Sequence, residues 1–222
     1  MPDLAPLWLT LKVAALATAL SLAFAVGFAW LVARRRFPGR DLLDAVLTLP
    51  LVLPPTVLGY YLIVVWGKNG WLGSWLHRQF GISLMFTWQG AVLAASVVSF
   101  PLLFKSARAA FEGVPTEYEQ AARILGDSEL TLFWRITLPL AARGVLAGMM
   151  LAFARAMGDF GATLMVAGNI QGRTQTAAMA VFDAVAAGDY PLANTIVAIM
   201  SVTCVAILVM TNKLAERGAA GR

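Results

Sequence analysis

Long runs without a charged residue are the feature that most restricts how this chain can fold. Four such runs occur, at residues 13–33, 45–66, 82–104 and 190–212. Each reaches the length of about 20 residues that an α-helix needs to cross the ~30 Å hydrocarbon core of a bilayer. A fifth segment, residues 144–170, is also long enough but contains Arg155 and Asp159. Because backbone polar groups must be hydrogen-bonded inside a bilayer, these runs predict an all-α integral membrane protein.

The five segments predict a single transmembrane domain over residues 1–222. Only 13% of the residues are charged, whereas soluble domains carry about 25%. A loop over residues 105–143 separates the third span from the fourth. A shorter helix over Thr176–Ala187 lies between the last two spans. The five predicted spans cover residues 8–33, 45–66, 82–104, 144–170 and 190–212.

Lysine and arginine are concentrated in alternate loops, and this predicts the orientation. The turn 34–40, the loop 105–143 and the segment after residue 212 are basic, whereas the other loops hold only Lys68, Arg78 and Arg173. The positive-inside rule then places the N-terminus outside, and the C-terminus and the loop 105–143 in the cytoplasm. The net charge of +5 is explained by this distribution, so we expect no nucleic-acid partner.

The loop 105–143 contains a segment with the signals of a short helix. Thr116 and Glu119 match the capping box, in which two side chains bond the free N–H groups at a helix start. Pro115 marks the entry into the helix, and Gly126 is placed to end it. The sequence therefore predicts a helix of about two and a half turns.

One face of this predicted helix carries Tyr118, Ala121, Ala122 and Leu125, which are spaced at i, i+3, i+4 and i+7. A helix this short is marginally stable alone in water, so it needs a packing partner. That partner is either the membrane domain of the chain itself or a cytoplasmic protein that docks on this face. The periodicity does not choose between the two.

The same segment resembles the cytoplasmic loop motif of ATP-binding-cassette importer permeases, written E-A-A-x3-G-x9-I-x-L-P. The matching residues are Ala121, Ala122, Gly126, Ile136, Leu138 and Pro139, at the spacing of the motif. Gln120 stands where the motif has glutamate, with Glu119 beside it. Three further stretches, residues 49–73, 86–112 and 153–172, resemble the permease subunits of molybdate importers. Sulfate permeases are related to these.

The resemblance implies a methionine-importer-like permease fold in the cytoplasmic (inner) membrane. It implies a homodimer that carries molybdate, with two cytoplasmic ATPase subunits and an extracytoplasmic oxyanion-binding protein as partners. Sulfate or thiosulfate is the alternative substrate. The short helix would then be the coupling helix that docks on the ATPase, through Tyr118, Glu119, Gln120, Ala121, Ala122, Leu125 and Gly126.

Two other features are candidates for the translocation pathway. Pro54 and Pro55 in the second span predict a kink, which is either fixed by packing or lines a pore. Arg155 and Asp159 are four residues apart, so they can pair on one helix. We favour a pair that holds helices together over an oxyanion contact, because a neutral pair attracts no anion. Following the family, the other pathway candidates are Phe160, Thr163 and Asn169.

The sequence offers no catalytic group, so we do not expect an enzyme. The only Gly-Lys pair, Gly67-Lys68, is followed by Asn69 and does not form a phosphate-binding loop. One cysteine and one histidine, far apart, provide neither a nucleophilic pair nor a metal site. ATP and magnesium would therefore bind to the partner ATPase. A self-sufficient secondary transporter is the rival from another class, but neither a repeat nor a second intramembrane acid supports it.

Overall fold

The computed structural model describes residues 4–220, with side chains up to residue 209. Helices are the only regular structure among the described residues. The helices are α1 (Ala5–Arg34), α2 (Arg40–Thr48), α3 (Pro55–Trp66), α4 (Trp71–Phe80), α5 (Trp88–Glu112), α6 (Thr116–Ile124), α7 (Glu129–Leu132), α8 (Leu138–Met157), α9 (Gly161–Ala167), α10 (Ala177–Ala186) and α11 (Tyr190–Ala220). A 3-10 turn, Leu49–Leu51, follows α2, and a π-helical turn, Phe133–Thr137, joins α7 to α8.

Among residues 4–209, four helical stretches are long and apolar enough to cross a membrane. They are α1, α5, the continuous stretch Glu129–Met157 and the part Tyr190–Val209 of α11. The helices α2 and α3 add a fifth crossing when they are taken together as one broken span. By length and composition, this part of the chain thus has the four to five spans of a multi-pass membrane protein.

The second predicted span, 45–66, differs from the expectation of one kinked helix. It consists of α2 and α3, whose axes are bent by 113° relative to each other. The reason is the proline pair: Pro54 precedes another proline and therefore adopts an extended backbone, with ψ at 138°. Pro55 then begins α3 at the first helical position, where its missing N–H group costs nothing.

The fourth predicted span, 144–170, is also broken, and its helix begins earlier than expected. The helical stretch starts at Glu129, within the predicted loop 105–143, and ends at Met157. Residues Gly158–Phe160 leave the helix before α9 begins at Gly161. The predicted short helix over Thr176–Ala187 agrees closely with α10.

The centre of the domain is formed by α1, α5 and α8, and small residues set how closely α5 and α8 approach. A Cβ atom added at Gly144 would lie 2.4 Å from the Cβ of Ala110, and one at Gly148 would lie 2.7 Å from the Cβ of Ser106. Two glycines four apart thus let the two backbones come together, as in small-xxx-small pairs of membrane helices. The buried aromatic ring of Phe104 lies in the same core.

The short helix α9 packs against α3 and α5. Gly59 of α3 faces α9 so closely that an added Cβ would lie 2.5 Å from the Cβ of Met165. Gly161 lies beside Pro55, since an added Cβ would be 3.1 Å from the Cβ of that proline. The break between α2 and α3 therefore contacts the break between α8 and α9.

Candidate coupling and transport sites

The start of α6 differs from the predicted capping box. Pro115 occupies the cap position, Thr116 is the first helical residue, and no side chain caps the helix. The carboxylate of Glu119 is turned away from the helix start, toward the guanidinium of Arg34. Hydrogen bonds between two charged groups are stronger than those to a neutral N–H group, so the ion pair outcompetes the cap.

The end of α6 is formed by Gly126, as the sequence predicts. Gly126 has a left-handed backbone, with φ at +90°. Its N–H group donates to the carbonyl of Arg123 at 3.1 Å, and the N–H group of Asp127 donates to the carbonyl of Ala122 at 3.1 Å. These two bonds form a Schellman motif, which satisfies the last carbonyls of the helix.

The residues predicted to dock on a partner divide between two faces of α6. Ala122 and Glu119 are buried against the rest of the chain, so they are not accessible for docking as predicted. Glu119 is buried because its carboxylate pairs with the guanidinium of Arg34 inside the chain. The exposed members of the set are Tyr118, Gln120, Ala121, Leu125 and Gly126.

An exposed apolar pair lies at the end of α6. Ile124 and Leu125 have 86% and 84% of their surface accessible. The spacing i, i+3, i+4 and i+7 did not include Ile124. Two large aliphatic residues directly before a helix-ending glycine could have indicated this exposed pair from the sequence. Large exposed aliphatic side chains next to each other are typical of a surface that contacts another protein.

Glu119 is the centre of a buried polar cluster that the sequence did not reveal. Its side chain is 2% exposed, and its Oε1 atom lies 3.0 Å from Nη2 of Arg34, whose side chain is 12% exposed. The buried hydroxyl of Thr137 donates to the same Oε1 at 2.8 Å. Arg34 also donates to the carbonyl of Val114 at 3.0 Å. These partners lie far from Glu119 in the chain, so no local spacing could indicate them.

A second ion pair joins α6 to α7. Nε of Arg123 donates to Oε1 of Glu129 at 2.7 Å. The π-helical turn that follows α7 places Thr137 at the Glu119 cluster. Such π-helical turns are frequent at functional sites.

Arg155 and Asp159 lie close together, but not on one helix as the sequence suggested. Helix α8 ends at Met157, so Asp159 lies in the break before α9. Nη1 of Arg155 is 3.6 Å from Oδ1 of Asp159, which makes an ion pair but is too long for a hydrogen bond. The other carboxylate oxygen accepts bonds from the N–H and hydroxyl groups of Thr163, at 3.0 and 2.6 Å. Asp159 thereby holds the start of α9.

The remaining pathway candidates lie at the two ends of α9. The ring of Phe160 contacts the ring of Phe182, with centroids 5.2 Å apart. Asn169 donates to both carboxylate oxygens of Asp183 at 2.8 Å. Pro55 lies against Gly161, next to Phe160 in the chain. The structure therefore brings the proline break, Phe160 and Thr163 to one end of α9 and places Asn169 at the other.

Within the described part of the chain, no three His, Cys, Asp or Glu side chains lie close enough together to hold a metal ion.

Residues 13–217 match the family of the binding-protein-dependent transport system inner membrane component. The chain belongs to this family. ModB of Escherichia coli strain K12, a molybdenum transport system permease protein, is 50% identical over 82% of this chain and 79% of its own length. The CysT sulfate transport system permease protein of Salmonella typhimurium is 35% identical over 94% of this chain and 75% of its own length.

Solved structures of ABC transporters share the fold. The MetNI methionine transporter in an inward-facing form matches with a TM-score of 0.74 over 96% of this chain and 94% of the other, at 15% identity. A bacterial alginate transporter in complex with its periplasmic protein matches with a TM-score of 0.73 over 97% of this chain and 79% of the other, at 14% identity. The expectation of an all-α, methionine-importer-like permease fold is confirmed.

Proposed function

We propose that this chain is the membrane subunit of an ATP-driven importer that carries molybdate across the cytoplasmic membrane. The observation that carries the substrate assignment is the 50% identity with the molybdenum transport permease of Escherichia coli over 82% of the chain. The sulfate permease from Salmonella typhimurium shares 35% over a similar length. Tungstate, an anion of the same shape and charge, would be accepted as well.

Two copies of the chain, two ATPase subunits and an extracytoplasmic oxyanion-binding protein would form the working complex. The exposed side of α6 supports an ATPase contact, because Tyr118, Ile124 and Leu125 present apolar surface there. The opposite side of the helix is already packed against the rest of the chain. Small Ala121, between them and also exposed, permits close approach of a partner surface. In this proposal α6 is the coupling helix, and ATP and magnesium bind on the partner.

The basic residues support an orientation with the N-terminus outside and the C-terminus in the cytoplasm. Arg34 and Arg40 lie on the same side of the domain as α6, because Arg34 contacts Glu119 and Arg40 lies 3.4 Å from Glu112 at the end of α5. Single cysteines at position 75 and position 121, both exposed, test it. We expect labelling of the first from outside and of the second from inside. Labelling of both from one side would contradict the orientation.

In the transport cycle, ATP binding would close the ATPase dimer and draw the two α6 helices together, which turns the cavity outward to receive the anion. Hydrolysis would reset it inward. The contact between the two helix breaks, at Pro55 and Gly161, is the candidate hinge and pathway region. Arg155 is already paired with Asp159, so the passage is close to neutral and binds the dianion weakly. Weak binding suits transport, because a tightly held ion would not leave.

The closest rival within the same class is a sulfate or thiosulfate permease, which the 35% identity over 94% of the chain keeps open. The test compares ATP hydrolysis by the complete complex in vesicles with the binding protein loaded with either anion. We expect the molybdate-loaded protein to stimulate hydrolysis and the sulfate-loaded protein to leave it at the basal rate. Stimulation by the sulfate-loaded protein alone would move the chain to the rival assignment.

A further inference from the structure

The buried carboxylate of Glu119 connects α6 to several other parts of the chain. It lies on α6, its ion-pair partner Arg34 is the last residue of α1, and its hydrogen-bond donor Thr137 is the last residue of the π-helical turn before α8. Through the Arg34 bond to the carbonyl of Val114, the connection between α5 and α6 belongs to the same cluster. The cluster therefore connects α6 with the end of α1, with the turn that precedes α8 and with the connection that follows α5.

The burial of this cluster makes it stiff. A buried carboxylate is tolerated only when it is paired and hydrogen-bonded, so movement of Glu119 away from Arg34 and Thr137 is strongly opposed. Arg123, whose Nη2 atom is 3.9 Å from the Oε2 atom of Glu119, is the other charged group that faces it. Arg123 is directed mainly to Glu129 at 2.7 Å. Arg34 is therefore the partner that holds Glu119 in place.

The opposite side of α6 has no such contacts among the described residues. Ile124 and Leu125 are almost fully exposed, and α6 packs otherwise on α7 and the π-helical turn. A force applied on the exposed side reaches α1 most directly through the buried Glu119–Arg34 pair. A second route runs through Arg123 and Glu129 to Arg35, the residue after α1, at 3.9 Å between two half-exposed side chains. A third runs through the π-helical turn, where Phe133 contacts Trp30 of α1. Without the buried pair, only these looser contacts and the adjoining backbone connect α6 to α1.

We infer that Glu119 is a positioning residue that transmits displacement of α6 to α1 and α8. It touches neither the ATPase nor the transported anion, since it is buried on the side of α6 that faces the rest of the chain. The inference rests on the proposed function, in which an ATPase displaces α6. A purely structural role would lower the amount of folded complex. A transmitting role lowers the amount of anion carried for each ATP hydrolysed.

The test measures anion uptake and ATP hydrolysis in the same vesicles, with the complete complex and labelled molybdate. The variant is Glu119→Gln, which keeps an acceptor for Thr137 but removes the charge that pairs with Arg34. The matched control is Glu117→Gln, which removes an exposed carboxylate two residues away on the same helix. We expect Glu119→Gln to copurify with the ATPase at the normal ratio and to keep its basal hydrolysis. We expect uptake per ATP to fall about tenfold, within the range of typical coupling energies, while the control matches the wild type.

A second variant covers the case in which Glu119→Gln lowers assembly. Thr137→Val removes one hydrogen bond to Glu119 and leaves the ion pair, so we expect a normal yield and a smaller loss of uptake per ATP. An unchanged ratio in either variant, once the complex is assembled, would overturn the inference. Loss of assembly in both variants would also overturn it, since that is the sign of a structural role. Wild-type complex that neither takes up molybdate nor hydrolyses ATP would instead contradict the proposed function.

Discussion

The Nη2 atom of Arg34 lies 3.0 Å from the carboxylate of Glu119, so the end of the first membrane helix is bonded directly to α6. The bond is buried on the side of α6 that faces the rest of the chain, while Ile124 and Leu125 are exposed on the opposite side. One short helix thus has a face committed to its own domain and a face that is available to a partner. The sequence allows either the membrane domain of the chain or a cytoplasmic protein as the packing partner of α6. This arrangement is compatible with both, because each would contact a different side of the helix.

Breaking α6 in its middle is expected to uncouple the permease. Ala121 lies in the helix interior and is exposed, so Ala121→Pro destroys the helix at a cost of about 3 kcal/mol. We expect less ATPase to copurify, or hydrolysis that no longer drives uptake. The control is Thr116→Pro, at the first helical position, where proline is tolerated. Normal transport by Ala121→Pro would show that α6 does not transmit force.

The ion pair between Arg155 and Asp159 predicts a characteristic double-mutant result. Arg155→Ala leaves a buried carboxylate without its charge partner, and Asp159→Ala also removes the bonds to Thr163. We expect both single variants to lower the yield of assembled protein, and the double variant to cost less than their sum. Size-exclusion yield and thermal unfolding in detergent measure this. If only Arg155→Ala abolishes transport, with normal assembly and a silent Asp159→Ala, Arg155 contacts the anion.

The close approach of α5 and α8 predicts that Gly148 cannot carry a side chain. In Gly148→Ala, the new Cβ would lie 2.7 Å from the Cβ of Ser106, so the helices must separate. We expect destabilisation of about 1–3 kcal/mol, as for other overpacked cores, seen as a lower unfolding temperature in detergent. Gly27→Ala is the control, because a Cβ there meets no atom within 4 Å. Equal unfolding temperatures for the two variants would contradict the close packing.

The contact between α2 and α5 is expected to depend on the charge of Asp44. Its carboxylate lies 2.8 Å from Nζ of Lys105 and also pairs with Nη1 of Arg108. Both cations belong to α5, so Asp44 links the two helices by two ion pairs.

The measurement compares the unfolding temperatures of the wild type and of Asp44→Asn in detergent. We expect a lower unfolding temperature for Asp44→Asn, because Lys105 and Arg108 lose this charged partner. Asp41→Asn, which changes an exposed carboxylate on the same helix, is the control. Equal unfolding temperatures for the wild type and Asp44→Asn would mean that these ion pairs contribute no stability.

The sequence predicted the parts of this fold that depend on local signals. Charge-free runs marked the membrane helices, Gly126 marked the end of α6, and Pro54 and Pro55 marked the break in the second span. The 113° angle at that break was not predictable, because proline chemistry sets where a helix breaks and leaves the direction of the next helix open. In the structure α3 lies against α9, with Gly59 next to Met165, and no local signal indicates this distant contact.

The same division applies to the candidate sites. The capping box was a reasonable local pattern, but Glu119 bonds Arg34, which lies far away in the chain. The spacing of Arg155 and Asp159 predicted their proximity, but not that Gly158 and Phe160 would leave the helix and make Asp159 the support of α9. Long-range partners of charged residues are set by the folded arrangement and leave no mark in local spacing.

Uptake by reconstituted vesicles tests directly whether this chain is the permease of an ATP-driven molybdate importer. The vesicles contain the chain with its cognate ATPase, ATP inside and the loaded binding protein outside. We expect accumulation of labelled molybdate that requires both ATP and the binding protein and that persists in an excess of sulfate. Sulfate accumulation that molybdate does not compete away, or molybdate accumulation without ATP, would contradict it.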